Sequence, residues 1–139
     1  MELHQVDADF AVAPQMQPEE LAGLAAAGFV AVICTRPDAE EPGQPPLDVM
    51  RNAAQAAGIA FHHIPVAGGI FPAASVAAFG AIRRGTHGKV LGYCRSGTRA
   101  VTMDALANIG GLSTADRIAN AKAAGYDLSA LADRLDAGE

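Results

Sequence analysis

Six apolar residues in a row, Phe29-Val30-Ala31-Val32-Ile33-Cys34, follow a glycine and run into a loop rich in proline and glycine. An unbroken apolar run of strand length, with no polar alternation, marks a strand covered on both faces. Such strands belong to parallel sheets flanked by helices. The rest of the chain alternates accordingly. Phe10–Ala13 reads as a short strand, and Pro18 with Glu19 and Glu20 opens a helix whose acids sit at its positive end and which stops at Gly28. Residues 47–57 read as a helix ended by Gly58, 59–66 as a strand, 72–84 as a helix, and Lys89–Tyr93 as a strand. Residues 98–109 form a helix that Gly110 and Gly111 end, Ser113 with Asp116 has the pattern of a capping box, and Asp127 starts a last short helix. This predicts a single α/β domain over residues 1–139: three layers, with a mostly parallel central sheet of four to five strands flanked by helices.

In such sheets ligands bind at the carboxyl ends of the strands. The rim to watch is therefore Arg36 to Glu41, Ala67 to Phe71, and the segment beginning at Cys94. That last segment, Cys94-Arg95-Ser96-Gly97-Thr98-Arg99, lies between a strand and a helix. A thiol there sits in a nest of backbone N–H groups at the positive end of the helix, which favours a thiolate and any anion bound beside it. Arg95 and Arg99 add fork-shaped donors, and packing alone gives no reason to place two guanidinium groups in six residues. The pattern predicts a cysteine-centred, anion-binding active site.

Composition narrows the partners. The net charge is −5, which argues against nucleic acid or an acidic membrane surface as the main partner and makes the arginine pair a local positive island. No long apolar run is present, and Met1-Glu2-Leu3-His4 lacks a basic segment, so the expectation is a cytoplasmic protein with reduced thiols. Its two cysteines, Cys34 and Cys94, fit no zinc spacing, and neither a metal nor a cofactor is implied. Cys34 reads as a buried strand residue, with a resolving thiol facing Cys94 as the sharper alternative. His62 and His63 are consecutive on a strand and so point to opposite faces. Packing or surface roles are expected of them.

Two reaction classes use a cysteine in such a loop, and loop length separates them. Four residues lie between Cys94 and Arg99. Cysteine phosphatases use a loop one residue longer, whereas this one resembles the rhodanese pattern Cys-Arg-Ser-Gly-x-Arg, which carries sulfane sulfur as a persulfide. Cleaving a phosphate ester also needs an acid to protonate the leaving oxygen, and no Asp or Glu occurs between Asp48 and Asp104. Asp38 or Glu41, in the loop after the second apolar strand, remain as sources of an acid from another direction. Ala100 stands where phosphatases place Ser or Thr, and Tyr93 precedes the cysteine where they place His.

The wider sequence resembles the beta-lactamase-hydrolase-like protein family in Arg36-Pro37-Asp38, Glu41-Pro42-Gly43-Gln44-Pro45, Ile64-Pro65-Val66, Tyr93 through Arg99, and Ala124-Gly125-Tyr126-Asp127. The resemblance implies a protein-tyrosine-phosphatase-like fold with a rhodanese-type loop. It also implies a place beside persulfide dioxygenases or other sulfide-oxidising enzymes, to which members are often fused or linked. The expected function is a sulfurtransferase that takes sulfane sulfur from a small anionic donor, thiosulfate or glutathione persulfide, and passes it to a thiol acceptor. A cysteine-dependent phosphatase and a non-catalytic persulfide carrier are the alternatives.

In this reading Cys94 is the nucleophile and Arg99 closes the loop on the donor's oxyanion. Arg95 either steers anions from outside or is simply solvated, and Gly97 lets the backbone approach. The Ser96 and Thr98 hydroxyls bind the transferred sulfur or cap the helix. Arg36 is either a loop anchor salt-bridged with Asp38 or part of a rim that binds the anion.

Overall fold

The computed structural model describes residues 1–138. Its centre is a five-stranded sheet in the order β1-β2-β5-β3-β4, with β1 His4–Asp7, β2 Phe10–Ala13, β3 Phe29–Cys34, β4 Ala60–His63 and β5 Lys89–Tyr93. Only β1 runs antiparallel, as one arm of a hairpin with β2; the other three pairings are parallel. The three-layer, mostly parallel sheet read from the sequence is the observed architecture. β1 is the strand that the sequence reading missed.

Alternation along the inner strands sends side chains to two separate cores. On one face Phe10, Val12, Ala31, Ile33 and Val90 pack with Phe79, Val101, Met103 and Ala121, which lie on α3 (Ala73–Gly85), α4 (Thr98–Ala107) and α5 (Thr114–Ala123). On the other, Ala11, Ala13, Val32, Cys34, Leu91 and Tyr93 pack with Leu21, Leu24, Met50 and Ala54, carried by α1 (Leu21–Ala26) and α2 (Leu47–Ala56). A final helix, α6 (Ala132–Ala137), covers the first core through Leu135. Val30 departs from the fully covered strand that its neighbours suggested: the register shifts between Phe29 and Ala31, and Val30 is exposed there.

Several boundaries differ from those read in the sequence, each for a local reason. Pro18–Glu20 is a 3₁₀ turn that runs into α1. β4 ends at His63, because the next residues continue the ladder only irregularly, through Ile64 N–H to the Cys34 carbonyl and Val66 N–H to that of Thr35; Pro65 between them has no N–H to give. α4 ends at Ala107 rather than in the glycine pair, because Asn108 takes the left-handed conformation (φ 45°) and its side chain grips both N–H and C=O of Leu112. α5 begins as expected, with Ser113 accepting from Asp116 N–H. Asp127 does not begin α6 directly; it accepts from Ser129 N–H, the first residue of a 3₁₀ turn, Ser129–Leu131, that precedes α6.

One glycine sets how the helix after Cys94 meets the sheet. A Cβ on Gly92 would lie 3.0 Å from the Phe10 ring and 3.1 Å from the Ala100 Cβ. Only a bare backbone lets the start of α4 descend this far onto β5. No helix among the described residues is long and apolar enough to cross a membrane.

Candidate active site

Cys94 directly follows β5 and is buried. The loop after it curls back so that Gly97 N–H donates to Cys94 Sγ at 3.1 Å, and α4 starts one residue later. The turn needs Gly97 twice over. Its φ is 95°, and an added Cβ would lie 2.2 Å from the Tyr126 hydroxyl. That hydroxyl, brought in by the segment after α5, donates to the Ser96 carbonyl at 2.9 Å. Gln15 N–H, from the segment after β2, donates to the Arg95 carbonyl at 3.1 Å. The loop is thus braced from two sides by residues distant in sequence.

The hydroxyls of Ser96 and Thr98 lie 3.0 Å from each other, and Thr98 N–H points to Ser96 Oγ. The N-cap position itself is Gly97, which no side chain caps. Arg95 projects outward with 69% of its side chain exposed, its Nε 3.6 Å from Glu41.

Arg99 turns the opposite way, over the rim. Its Nη1 donates to the Val66 carbonyl at 2.9 Å and to Glu40 Oε2 at 2.7 Å, and its Nη2 donates to Glu40 Oε1 at 2.8 Å. Glu40 belongs to the loop after β3, and the same carboxylate accepts from Arg36 Nε at 2.9 Å. The Arg99 fork, assisted by Arg36, holds the Glu40 carboxyl at about 2 against the opposing effect of burial. Charge flows both ways: the Glu40 hydrogen bonds push the Arg99 guanidinium up.

Arg36 has other partners than the Asp38 expected from the sequence. It is 1% exposed, and its nitrogens are committed to Glu40, to Glu41 at 2.7 Å and to Gln15 Oε1 at 2.9 Å. It is a loop anchor, but the partners are Glu40 and Glu41. Asp38 instead turns away to accept from Leu47 N–H at the start of α2. Three of its five N–H donors are committed in this way, and the side chain is buried. His63 supports the same corner, its Nε2 lying 2.8 Å from the Arg36 carbonyl.

Cys34 lies on the α1–α2 side of the sheet, its Sγ directed at the Arg36 carbonyl. Burial pushes its thiol up, although a hydrogen bond with Tyr93 works against this. A protonated, covered thiol is a poor nucleophile, so the strand-residue reading fits its surroundings better than the resolving one.

The rim assembles as the topology required: Val66, Thr35 and Tyr93 are laced by backbone hydrogen bonds, and Arg99 ties α4 to them. The turn after β4, with Gly68 at φ 62° and Gly69 at φ 71°, carries no acid. Three residues of this corner were not singled out in the sequence: Gln15, Glu40 and Tyr126. Glu40 lay within the rim segment, but nothing local distinguished it from Glu41.

A family model, the phosphatase-like domain of beta-lactamase hydrolase-like proteins, matches residues 2–111. The chain belongs to this family. A beta-lactamase hydrolase-like protein from Agrobacterium fabrum is 34% identical over 132 residues, covering 94% of this chain. The chain spans only 25% to 31% of the length of the curated relatives it matches. Among solved structures, a Neisseria meningitidis protein that carries a phosphatase name is 30% identical, with a TM-score of 0.87 over 100% of this chain and 99% of its own. Tk-PTP, at 20% identity and a TM-score of 0.73, covers 97% of this chain and 93% of its own and shares the fold. The fold is that of the cysteine phosphatases, and the site is a cysteine-centred one of the phosphatase-like type.

Proposed function

We propose that this domain of the beta-lactamase hydrolase-like family moves sulfane sulfur through a Cys94 persulfide, with thiosulfate or glutathione persulfide as donor and a thiol as acceptor. The observation that carries this reading is the state of Glu40. It is the carboxylate at the mouth of the site, and Arg99 and Arg36 hold it ionised, so it has no proton for a departing oxygen. Sulfur transfer does not need one, because its leaving groups are sulfite or a thiolate.

The Cys94 thiolate attacks the outer sulfur of thiosulfate. A new S–S bond forms, the donor's own S–S bond breaks, and its electron pair leaves on sulfite. An acceptor thiolate then attacks the outer sulfur of the persulfide and Cys94 departs as thiolate. Gly97 N–H supports the negative sulfur, and Arg99 receives the donor's oxyanion. No cofactor enters either step. A persulfide dioxygenase or another sulfide-oxidising enzyme is the partner we propose for such a product.

Hydrolysis of phosphate esters is the second reading, and the comparisons lean toward it. The family model and the Neisseria structure both carry phosphatase names. Under that reading Glu40 must leave Arg99 and gain a proton before it can act.

Purified protein incubated with thiosulfate and cyanide should yield thiocyanate, release no phosphate from an aryl phosphate, and lose its activity on Cys94→Ser substitution while remaining folded. Phosphate release without thiocyanate would reverse the assignment. A stable gain of one sulfur in intact mass with turnover near zero would make the domain a carrier.

A further inference from the structure

We infer that the cavity between the β1–β2 hairpin, α4 and α5 is a second binding site, separate from Cys94, for a small primary amine with a short apolar body.

The cavity measures about 270 Å³, far more than the roughly 30 Å³ that one water takes up in the liquid. Val6, Val101, Ala105, Ile109, Leu112 and Ala121 give it largely apolar walls. Leu112 among them is still 39% exposed, apolar surface that a ligand body would cover. The cavity lies at the far end of the sheet from the Cys94 loop. The carbonyl of Asp9, at the hairpin turn, accepts from the N–H of Val90 at the start of β5, whereas Cys94 follows the end of that strand.

Charge decides the kind of ligand. Asp7, Asp9 and Asp104 line the cavity against Arg83 and Arg117, with no lysine or histidine. Arg117 spends four of its five N–H donors on the carbonyls of Ser113, Ala105 and Leu135 and on the Thr114 hydroxyl. Arg83 is 7% exposed, gives Nη1 to Asp104 and holds Nη2 3.5 Å from Asp7.

The acceptors are less fully used. Asp104 has one oxygen on Arg83 and no further partner among the described residues, although its side chain is only 11% exposed. The Asp9 carboxylate and the Asn120 side-chain amide, also in the lining, have no partner among those residues either. A carboxylate has about four acceptor sites, and a single donor leaves a covered one short. Burial accordingly outweighs Arg83 and pushes Asp104 up to about 6. An ammonium group brings three N–H donors and the positive charge that the surplus carboxylate lacks. An anion would lie against three carboxylates, and a purely apolar molecule would leave Asp104 as short of donors as before.

The test is an amide NMR titration of the whole chain at pH 7 with n-butylammonium chloride, with n-butanol as the neutral counterpart and sodium chloride at matched ionic strength as the blank. Butylammonium should shift the amides of residues 6–9, 104–112 and 117–121 saturably and bind at least tenfold more tightly than butanol. Equal binding of the two, shifts reproduced by sodium chloride, or no saturable shift in these segments would each overturn the site. Ionised Asp104 is the form that binds, so affinity should fall about tenfold from pH 7 to pH 5 as its carboxyl takes up a proton near 6. The other charged groups around it are Asp7 and Asp9 on the hairpin, Arg83 on α3 and Arg117 on α5. Asp104→Asn should weaken binding about tenfold at pH 7 and remove the pH dependence. The pH series on the unsubstituted chain stands even if that variant fails to fold, and an affinity that stays level between pH 7 and pH 5 would overturn the inference.

Discussion

Two clusters of arginine and carboxylate sit in different parts of this fold, and they have opposite characters. At the Cys94 rim, Glu40 takes three N–H donors from Arg99 and Arg36, stays partly open to water, and is held at about 2. In the second cluster, Asp104 on α4 pairs with Arg83 on α3, whose other nitrogen lies 3.5 Å from Asp7 and whose guanidinium stacks 4.5 Å above the Phe10 ring. Burial pushes Asp104 up to about 6, although Arg83 pulls the other way. Arg83 Nε is itself buried without a hydrogen-bond partner among the described residues. The lesson is that the number of donors and access to water decide the outcome, not the presence of a salt bridge. The rim cluster keeps its charge at any physiological pH, whereas the α3–α4 cluster is soft near pH 6.

The largest effect should come from breaking the buried cluster. Arg83→Met leaves Asp104 covered and unpaired and should lower stability by about 3 kcal/mol at pH 7. The loss should shrink by pH 5, where Asp104 carries its proton, and the reactivity of Cys94 in the folded protein should not change. Urea denaturation at the two pH values checks this; equal losses would mean that the softness assigned to Asp104 is wrong. Arg36→Met is the counterpart. Its carboxylate partners can rehydrate, so the stability loss should be smaller, about 2 kcal/mol, but sulfur transfer should fall roughly tenfold as Glu40 loses its second anchor and settles wholly on Arg99. An Arg36→Met variant with full activity would erase the distinction between a functional and a structural cluster.

The two acids also predict limbs of opposite sign in the stability profile. Glu40, depressed when folded, contributes stability that is present above its ordinary value of 4.5 and is lost as pH falls toward 2. Asp104, raised when folded, contributes stability that is present below 3.8 and is lost as pH rises through about 6. Glu40→Gln should therefore flatten the acid limb, and Asp104→Asn the segment between pH 4 and 6. A single shared limb would break the comparison.

The rim was far more legible in the sequence than the clusters. Strand, loop and helix around Cys94 are contiguous, so local pattern suffices to place the thiol at a helix start. The partners of Arg36 and Arg99 are set by the path of the loop spanning residues 35–46, which has no periodicity to read. Asp38, Glu40 and Glu41 are equivalent on paper until Asp38 is drawn off to cap α2. β1 escaped because His4-Gln5-Val6-Asp7 offers one apolar residue and pairs along one edge only. Arg83 and Asp104 were invisible as a pair, since only the packing of α3 on α4 brings them together.

Tyr126 gives the finest test, because it touches the Cys94 loop without belonging to either cluster. Tyr126→Phe removes one hydroxyl and its hydrogen bond to the Ser96 carbonyl and keeps the ring that packs edge-on to His4. A single neutral hydrogen bond is worth about 1 kcal/mol, so stability should drop by about that amount, and both limbs of the pH profile should stay in place. The rate at Cys94 should fall several-fold, roughly fivefold at most for this energy, because the carbonyl that fixes the loop's curl toward Gly97 loses its tether. If the rate holds while stability drops, the Gln15 bridge to Arg95 and the Gly97 bond to sulfur suffice to shape the loop. The contribution of the segment after α5 would then be structural, like that of Arg83, and the dividing line between the two kinds of support would run through the Cys94 loop itself.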